Sequence, residues 1–203
     1  ITEPLKEMFP EARLVKFIGD GHAAGYALIK QKPELRSDRR ILTIYTSFGI
    51  GGAVFTKGEL DIGMHKVCGT FGHIIVDPND EEQCPCGGHG CLERLVRPNR
   101  MRERLRARAD EYKKSCLADI DFEEMNYQKL FEGSAAGDSL CREESIYYAG
   151  IFGIALRNII LVTDPSYIIF QGDIAFADDA FRERMVSCIR EFLYIEKDAE
   201  LNI

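Results

Sequence analysis

Gly72-His73-Ile74-Ile75-Val76-Asp77-Pro78-Asn79-Asp80-Glu81-Glu82-Gln83-Cys84-Pro85-Cys86-Gly87-Gly88-His89-Gly90-Cys91-Leu92-Glu93 is the stretch around which the rest of the chain can be read. His73 stands eleven positions before Cys84, Cys86 follows after one residue, and Cys91 after four more. One imidazole and three thiolates make a complete tetrahedral set for Zn²⁺. The turn between the thiols is Gly87-Gly88-His89-Gly90, and a backbone that folds three side chains onto one ion needs the conformational freedom of glycine. All four positions are filled by protein and none is left for a water, so the spacing predicts a structural ion rather than a catalytic one. His89, inside the turn, is the competing imidazole. Free cysteines often behave as small buried hydrophobes. Here, however, three of the chain's seven cysteines crowd together among glycines, a proline and charges instead of in an apolar run.

The chain has 203 residues, 45% of them hydrophobic, enough for one large domain or one lobe of a bigger protein. A net charge of −7 makes it a poor binder of polyanions, so nucleic acid would have to be gripped from outside this segment. No apolar run approaches the ~20 residues of a membrane span, and the N-terminus lacks the apolar core of a signal peptide. Cys68, Cys116, Cys141 and Cys188 show no disulfide-framework spacing. These features predict a cytoplasmic protein with no membrane partner. The chain opens on Ile1 and stops at Leu201-Asn202-Ile203, which reads as the start of a strand, so residues 1–203 are expected to be a single fragment of a longer protein.

Working outward, Leu14 to Ile18 reads as a buried strand and Ala23 to Lys30 as a helix closed by Pro33. Asp20 lies at the junction between them. Such junctions place side chains at the ligand-binding edge of an α/β sheet, although an N-cap is an equally good account of an aspartate there. Ile41 to Tyr45 and Ala53 to Phe55 read as strands joined through Gly49, Gly51 and Gly52. A Gly-x-Gly-Gly loop can cradle phosphate on its N–H groups. A glycine-rich hairpin bend is the alternative, since neither a helix start nor a lysine follows at P-loop spacing. Leu92 to Arg108 is expected to be helical, with arginines scattered over several faces as solvated surface. Phe122 to Phe131 reads as a short helix, Asp138 to Val162 as a long buried one, Tyr167 to Phe170 as a strand, and Asp179 to Phe192 as a last helix. Strands and helices alternate, which makes the class α/β.

The metal stretch with its flanks strongly resembles the signature of the ROK family of repressors and sugar kinases. The match lies in Gly72-His73, Val76-Asp77-Pro78 and the run from Cys84 to Glu93. Gly49-Ile50-Gly51-Gly52 is similar to that family's phosphate loop, Lys57-Gly58-Glu59-Leu60 to its following hairpin, and Asp164-Pro165-Ser166-Tyr167-Ile168-Ile169-Phe170 to its helix-to-strand passage. The resemblance implies an actin-like (ribonuclease H-like) ATPase fold with a sugar between two lobes, this chain being mainly the second lobe. The family's N-terminal Asp-x-Gly-Gly-Thr phosphate loop and the helix-turn-helix head of its regulators are both missing from this sequence.

The same resemblance implies site residues. Asp20 falls where the kinases carry the base that takes a proton from the sugar hydroxyl. Thr70, His73 and Glu93 fall at sugar-contact positions, with Mg²⁺-ATP along Gly49, Gly51 and Gly52. Glu93 can also be read as a first-turn acid favoured by the helix dipole. Several positions depart from the kinase pattern: Gly19 replaces an Asn, Gly21-His22 replaces Ala-Asn, Thr70 replaces a sugar-binding Glu, Ser47-Phe48 replaces Gly-Thr, and Gln171-Gly172 replaces Gly-Gly. An intact zinc signature beside altered contacts points to the regulator branch. The expectation is a sugar-sensing, homodimer-forming region of a transcriptional regulator, stabilised by Zn²⁺ and reaching DNA through a domain outside this chain. An ATP-dependent sugar kinase is the main rival. A zinc module binding protein or nucleic acid directly is the third reading, and acidic charge on a mixed α/β chain of this size counts against it.

Overall fold

The computed structural model describes residues 2–11, 18–36 and 40–191. The strand expected at Leu14 to Ile18 and the chain end from Phe192 onward fall largely or wholly outside the described residues.

Strands β1 (Arg40–Thr46), β2 (Ile50–Thr56), β3 (Glu59–Asp61) and β4 (Tyr167–Gly172) form one mixed sheet in the order β3-β2-β1-β4. The first three are consecutive and antiparallel, while β4 returns parallel to β1 with Ile41 opposite Tyr167. The expected alternation of strands and helices is therefore only partial. A two-residue turn at Lys57-Gly58, both with positive φ (55° and 79°), lets β2 and β3 pair directly. The helices are α1 (Thr2–Met8), α2 (Asp20–Gln31), α3 (Leu92–Val96), α4 (Pro98–Ala107), α5 (Ala109–Tyr112), α6 (Tyr127–Ala135), α7 (Ser139–Thr163) and α8 (Asp179–Arg190).

Strand periodicity divides the core. Ile41 in β1 and Ala53 and Phe55 in β2 turn toward Ile29 of α2, whereas Leu42, Ile44 and Val54 turn toward the helical layer. That layer is packed by Phe131 of α6, Phe152 of α7 and Phe181 of α8, with ring centroids 5.3 Å and 5.7 Å apart in edge-on pairs. Each such ring buried is worth roughly 1.5–3 kcal/mol.

Three expectations are corrected. Leu92 to Arg108 is not one helix: the chain is extended at Arg97 (ψ 149°), because Pro98 disfavours helical geometry in the residue before it and then starts α4 as its first residue. Phe122 to Phe131 likewise divides into a 3₁₀ turn, Phe122–Glu124, and α6, which Asn126 caps by accepting the Lys129 N–H. The arginines are not merely solvated. Arg94, Arg97 and Arg100 pair with Glu82 and Asp80 of the 72–93 loop, while Arg104 and Arg108 grip Glu144, which is 0% exposed on α7, at 2.9 Å and 3.0 Å.

Asp138 caps α7 by accepting the Cys141 N–H. With 25 residues and a mean hydropathy of 1.6 over its most apolar window, α7 alone among the described helices has the length and composition of a membrane span, contrary to the sequence expectation. Half of that window is buried, and Tyr148, Phe152, Leu156 and Ile160 all join the common core, so α7 is accounted for as the central helix of the layer.

Candidate functional site

The 72–93 loop is made of two segments laid side by side. Val76 N–H donates to the Gly90 carbonyl at 2.8 Å, Leu92 N–H to Ile74 at 2.9 Å, and Ile75 bridges Cys91. Within this frame Cys84 N–H donates to the Gly88 carbonyl and Gly87 N–H to Cys84, each at 2.8 Å, which closes a tight knuckle between the thiols. Gly90 is required here: its φ is +67°, and a Cβ at that place would lie 1.6 Å from the Asp77 carbonyl oxygen.

The knuckle brings His73 Nδ1 to 3.6 Å from Cys84 Sγ and Cys86 Sγ to 3.5 Å from Cys91 Sγ, with all four ligand atoms within 4.8 Å of one another. Sulfurs bound to Zn²⁺ at about 2.3 Å in a tetrahedron sit roughly 3.8 Å apart, so these donors fit such an ion in number, type and spacing. His89 points elsewhere, its Nδ1 lying 3.2 Å from the Asp80 carbonyl. Crowding sets the thiols of the knuckle against one another. Cys86 is lowered from its ordinary pKa, chiefly by a hydrogen bond from the Gly88 backbone and then by Cys84 and Cys91. Burial, with hydrogen bonds from the neighbouring thiols, pushes Cys91 up to about 12. A divalent ion would remove that conflict by stabilising thiolates together.

Immediately beside His73 opens a cleft of about 270 Å³ lined by Gly19, Asp20, Gly21 and His22 at the start of α2, Gly49 to Gly52, Gly69, Thr70, His73 and Glu93. Every sugar-contact and phosphate-loop position expected from the sequence thus borders one space. Asp20 is the first residue of α2 and Gly19 occupies the cap position; the Asp20 carboxylate accepts its neighbour's Gly21 N–H at 2.8 Å. Gly51 and Gly52 belong to β2 itself, leaving only Ser47 to Gly49 as the turn. Glu93 lies in the first turn of α3 and its Oε2 accepts the Ile50 N–H at 2.8 Å, tying the glycine segment to the end of the 72–93 loop. Thr70 donates its hydroxyl proton to the Val67 carbonyl at 2.7 Å.

Two features escape a reading of the sequence. His22 donates through Nε2 to the Cys68 carbonyl at 2.7 Å, linking the α2 side of the cleft to the loop that carries Thr70. A narrow recess, with room for about 20 Å³ and lined by Phe48, Val96, Tyr127, Phe152 and Asp173, adjoins the cleft and shares Gly49, Ile50 and Glu93 with it. Its residues are drawn from five separate stretches, so no local pattern marks it. Phe48 stands fully exposed at its edge.

The family model described as "ROK family" matches residues 4–202. The chain is 27% identical over 180 residues to a glucokinase of Halalkalibacterium halodurans, covering 87% of this chain and 54% of that protein. It is 27% identical over 141 residues to the DNA-binding transcriptional dual regulator NagC of Escherichia coli K12, covering 70% of this chain and 34% of NagC. Among solved structures, a ROK family transcriptional regulator described as a homolog of the E. coli MLC protein superposes with a TM-score of 0.72 at 27% identity, over 86% of this chain and 43% of that one. The chain thus spans about half the length of the glucokinase and a third of the repressor.

Proposed function

The chain belongs to the ROK family, and from that premise we propose that it is mainly the second lobe, the sugar-sensing and oligomerisation region, of a transcriptional regulator. The observation that carries this reading is the single cleft bordered by Asp20, Thr70, His73 and Glu93. Of the positions that depart from the kinase pattern, Gly19, His22 and Thr70 border the same cleft and Phe48 borders the adjoining recess. Substitutions at both places favour binding kept and transfer relaxed. Asp20 and Glu93 accept hydrogen bonds from sugar hydroxyls. His73, engaged through Nδ1, keeps Nε2–H to donate to one.

Zn²⁺ would be held by His73, Cys84, Cys86 and Cys91, where it supplies a cross-link and balances the thiolate charge. It fixes the loop that presents His73 and Glu93 to the sugar. The ligand acts by favouring one arrangement of the lobes over another, and a homodimer of the whole protein translates that preference into the spacing of DNA-binding heads outside this segment.

The kinase reading is favoured by one feature: Asp20 borders the cleft with its carboxylate off the cap position, where a base would be needed, with Mg²⁺-ATP then lying along Gly49 to Gly52 and a lobe outside this chain. Calorimetric titration of the full-length protein with hexoses and N-acetylhexosamines, alongside a coupled ADP assay, separates the two. A sensor binds one sugar class saturably without releasing ADP, and Asp20→Asn leaves its phosphoryl-transfer background unchanged. Turnover in the range of about 1–100 s⁻¹ that Asp20→Asn abolishes would overturn the sensor reading.

A further inference from the structure

The cysteines outside the metal loop include a pair that the cleft does not use. Cys116, exposed in the 113–120 loop, and Cys141, buried in the first turn of α7, hold their sulfurs 3.9 Å apart. One carboxylate aligns both backbones: Asp138 Oδ2 accepts the Cys116 N–H at 2.8 Å and Oδ1 accepts the Cys141 N–H at 3.0 Å. On α6, Gly133 leaves the sulfurs their room, since a Cβ there would stand 2.5 Å from Cys141 Sγ and 2.9 Å from Cys116 Sγ. A soft metal ion is the obvious occupant of two thiols and a carboxylate, but both oxygens of Asp138 already serve amides and only two sulfurs remain.

We propose that Cys116 and Cys141 form a reversible intramolecular disulfide that latches the 113–120 loop onto the N-terminus of α7. The oxidant is a small-molecule disulfide such as oxidised glutathione. The Cys116 thiolate attacks one of its sulfurs and releases a glutathione thiolate. The Cys141 thiolate then attacks the sulfur of Cys116 and releases the second. Two protein thiols are oxidised by two electrons, one glutathione disulfide is reduced to two thiols, and the two protein protons end on them. Exposure makes Cys116 the entry point and burial makes Cys141 the resolving group. Burial with the Asp138 charge nearby holds both thiols above their ordinary pKa, so exchange is slow near neutrality and faster in alkali. The bond closes a loop between residues 25 apart, which restrains the unfolded chain more than the folded one.

The test uses the full chain supplied with Zn²⁺ and treated with oxidised glutathione at mildly alkaline pH, then alkylated and mapped by peptide mass spectrometry. The expected result is loss of the mass of two hydrogens, a peptide joining Cys116 to Cys141, and a rise in Tm of roughly 5–10 °C that dithiothreitol reverses. Cys116→Ser, at an exposed position, removes both the cross-link and the rise. The proposal is overturned by a glutathione adduct that persists on Cys116 while Cys141 remains open to alkylation, or by a cross-link without a change in Tm. Protection of both thiols by added Zn²⁺ in the absence of oxidant, with no cross-link on oxidation, overturns it in favour of a metal site.

Discussion

The 72–93 loop and the layer of α6, α7 and α8 are held by opposite means. Along the loop Ile75, Pro78, Glu81, Gln83, Pro85, Cys86 and His89 are all exposed, and order comes from backbone bridges, a four-donor cluster and ion pairs to Arg94, Arg97 and Arg100. In the layer Phe131, Leu140, Tyr148, Phe152, Leu156 and Phe181 are at most 2% exposed, and order comes from burial. A region tied by a few specific links should fail locally and completely when one is cut. A region tied by many small burials should fail only together with the whole fold.

The largest expected effect breaks that comparison at the loop. With Zn²⁺ held as proposed, a chelator or the replacement of Cys91 with Ser abolishes metal binding and releases the loop, in a site class whose metal contributes up to about 10–16 kcal/mol in small zinc domains. Amide exchange in residues 74–91 accelerates while α6 to α8 keep their protection. Equal loosening of both regions would show that they are not independent. Next comes an ion-pair contrast. Glu144→Ala takes the carboxylate partner from Arg104, while Arg108 keeps Glu111 and Glu143, and leaves a hole at a fully buried site, so it should cost roughly 2–3 kcal/mol by urea unfolding, whereas Glu82→Ala in the partly exposed loop network costs about 1 kcal/mol or less. Similar losses at both would remove the distinction.

The smallest effect sharpens it. Burial raises Asp138, but the amides of Cys141 and Cys116 outweigh that and leave it below its ordinary pKa. A depressed carboxylate stabilises the fold above its unfolded pKa, about 3.9, and that contribution is lost as pH falls through the lower folded value. Asp138→Asn keeps a capping oxygen, so it should cost only about 0.5 kcal/mol at neutral pH and flatten the acid limb of the stability curve, with the 72–93 loop unaffected.

Local chemistry was what the sequence displayed most clearly. The grouping of His73 with Cys84, Cys86 and Cys91 could be read from spacing because one short segment carries every donor, and the long helix from Asp138 was legible to within a residue because its start and its apolar run are both local. The cleft became legible through family likeness alone, since it is assembled from α2, β2, the Thr70 loop and α3. The arginines of α4 were misread as surface because Glu144 lies 40 residues from Arg104, and no periodicity within a helix shows what a distant acid will meet. The strand β2 was read too short because Gly51 and Gly52 carry no β-propensity, although their pairing with Tyr45 and Ile44 places them inside the ladder.

Those two glycines have a mechanical consequence. A Cβ on Gly21 would lie 2.4 Å from the Gly52 nitrogen, one on Gly69 2.2 Å from the Gly52 oxygen, and one on Gly52 itself 2.8 Å from the Phe71 ring. Two segments of chain, the start of α2 bearing Asp20 and the 69–73 turn bearing Thr70 and His73, therefore lean on a single residue with no slack between them. Gly52 behaves as a keystone: a shift of the start of α2 toward the sheet presses at once on the turn that bears His73, and a ligand of the proposed kind that is too large for the gap meets the stiffness of both segments together.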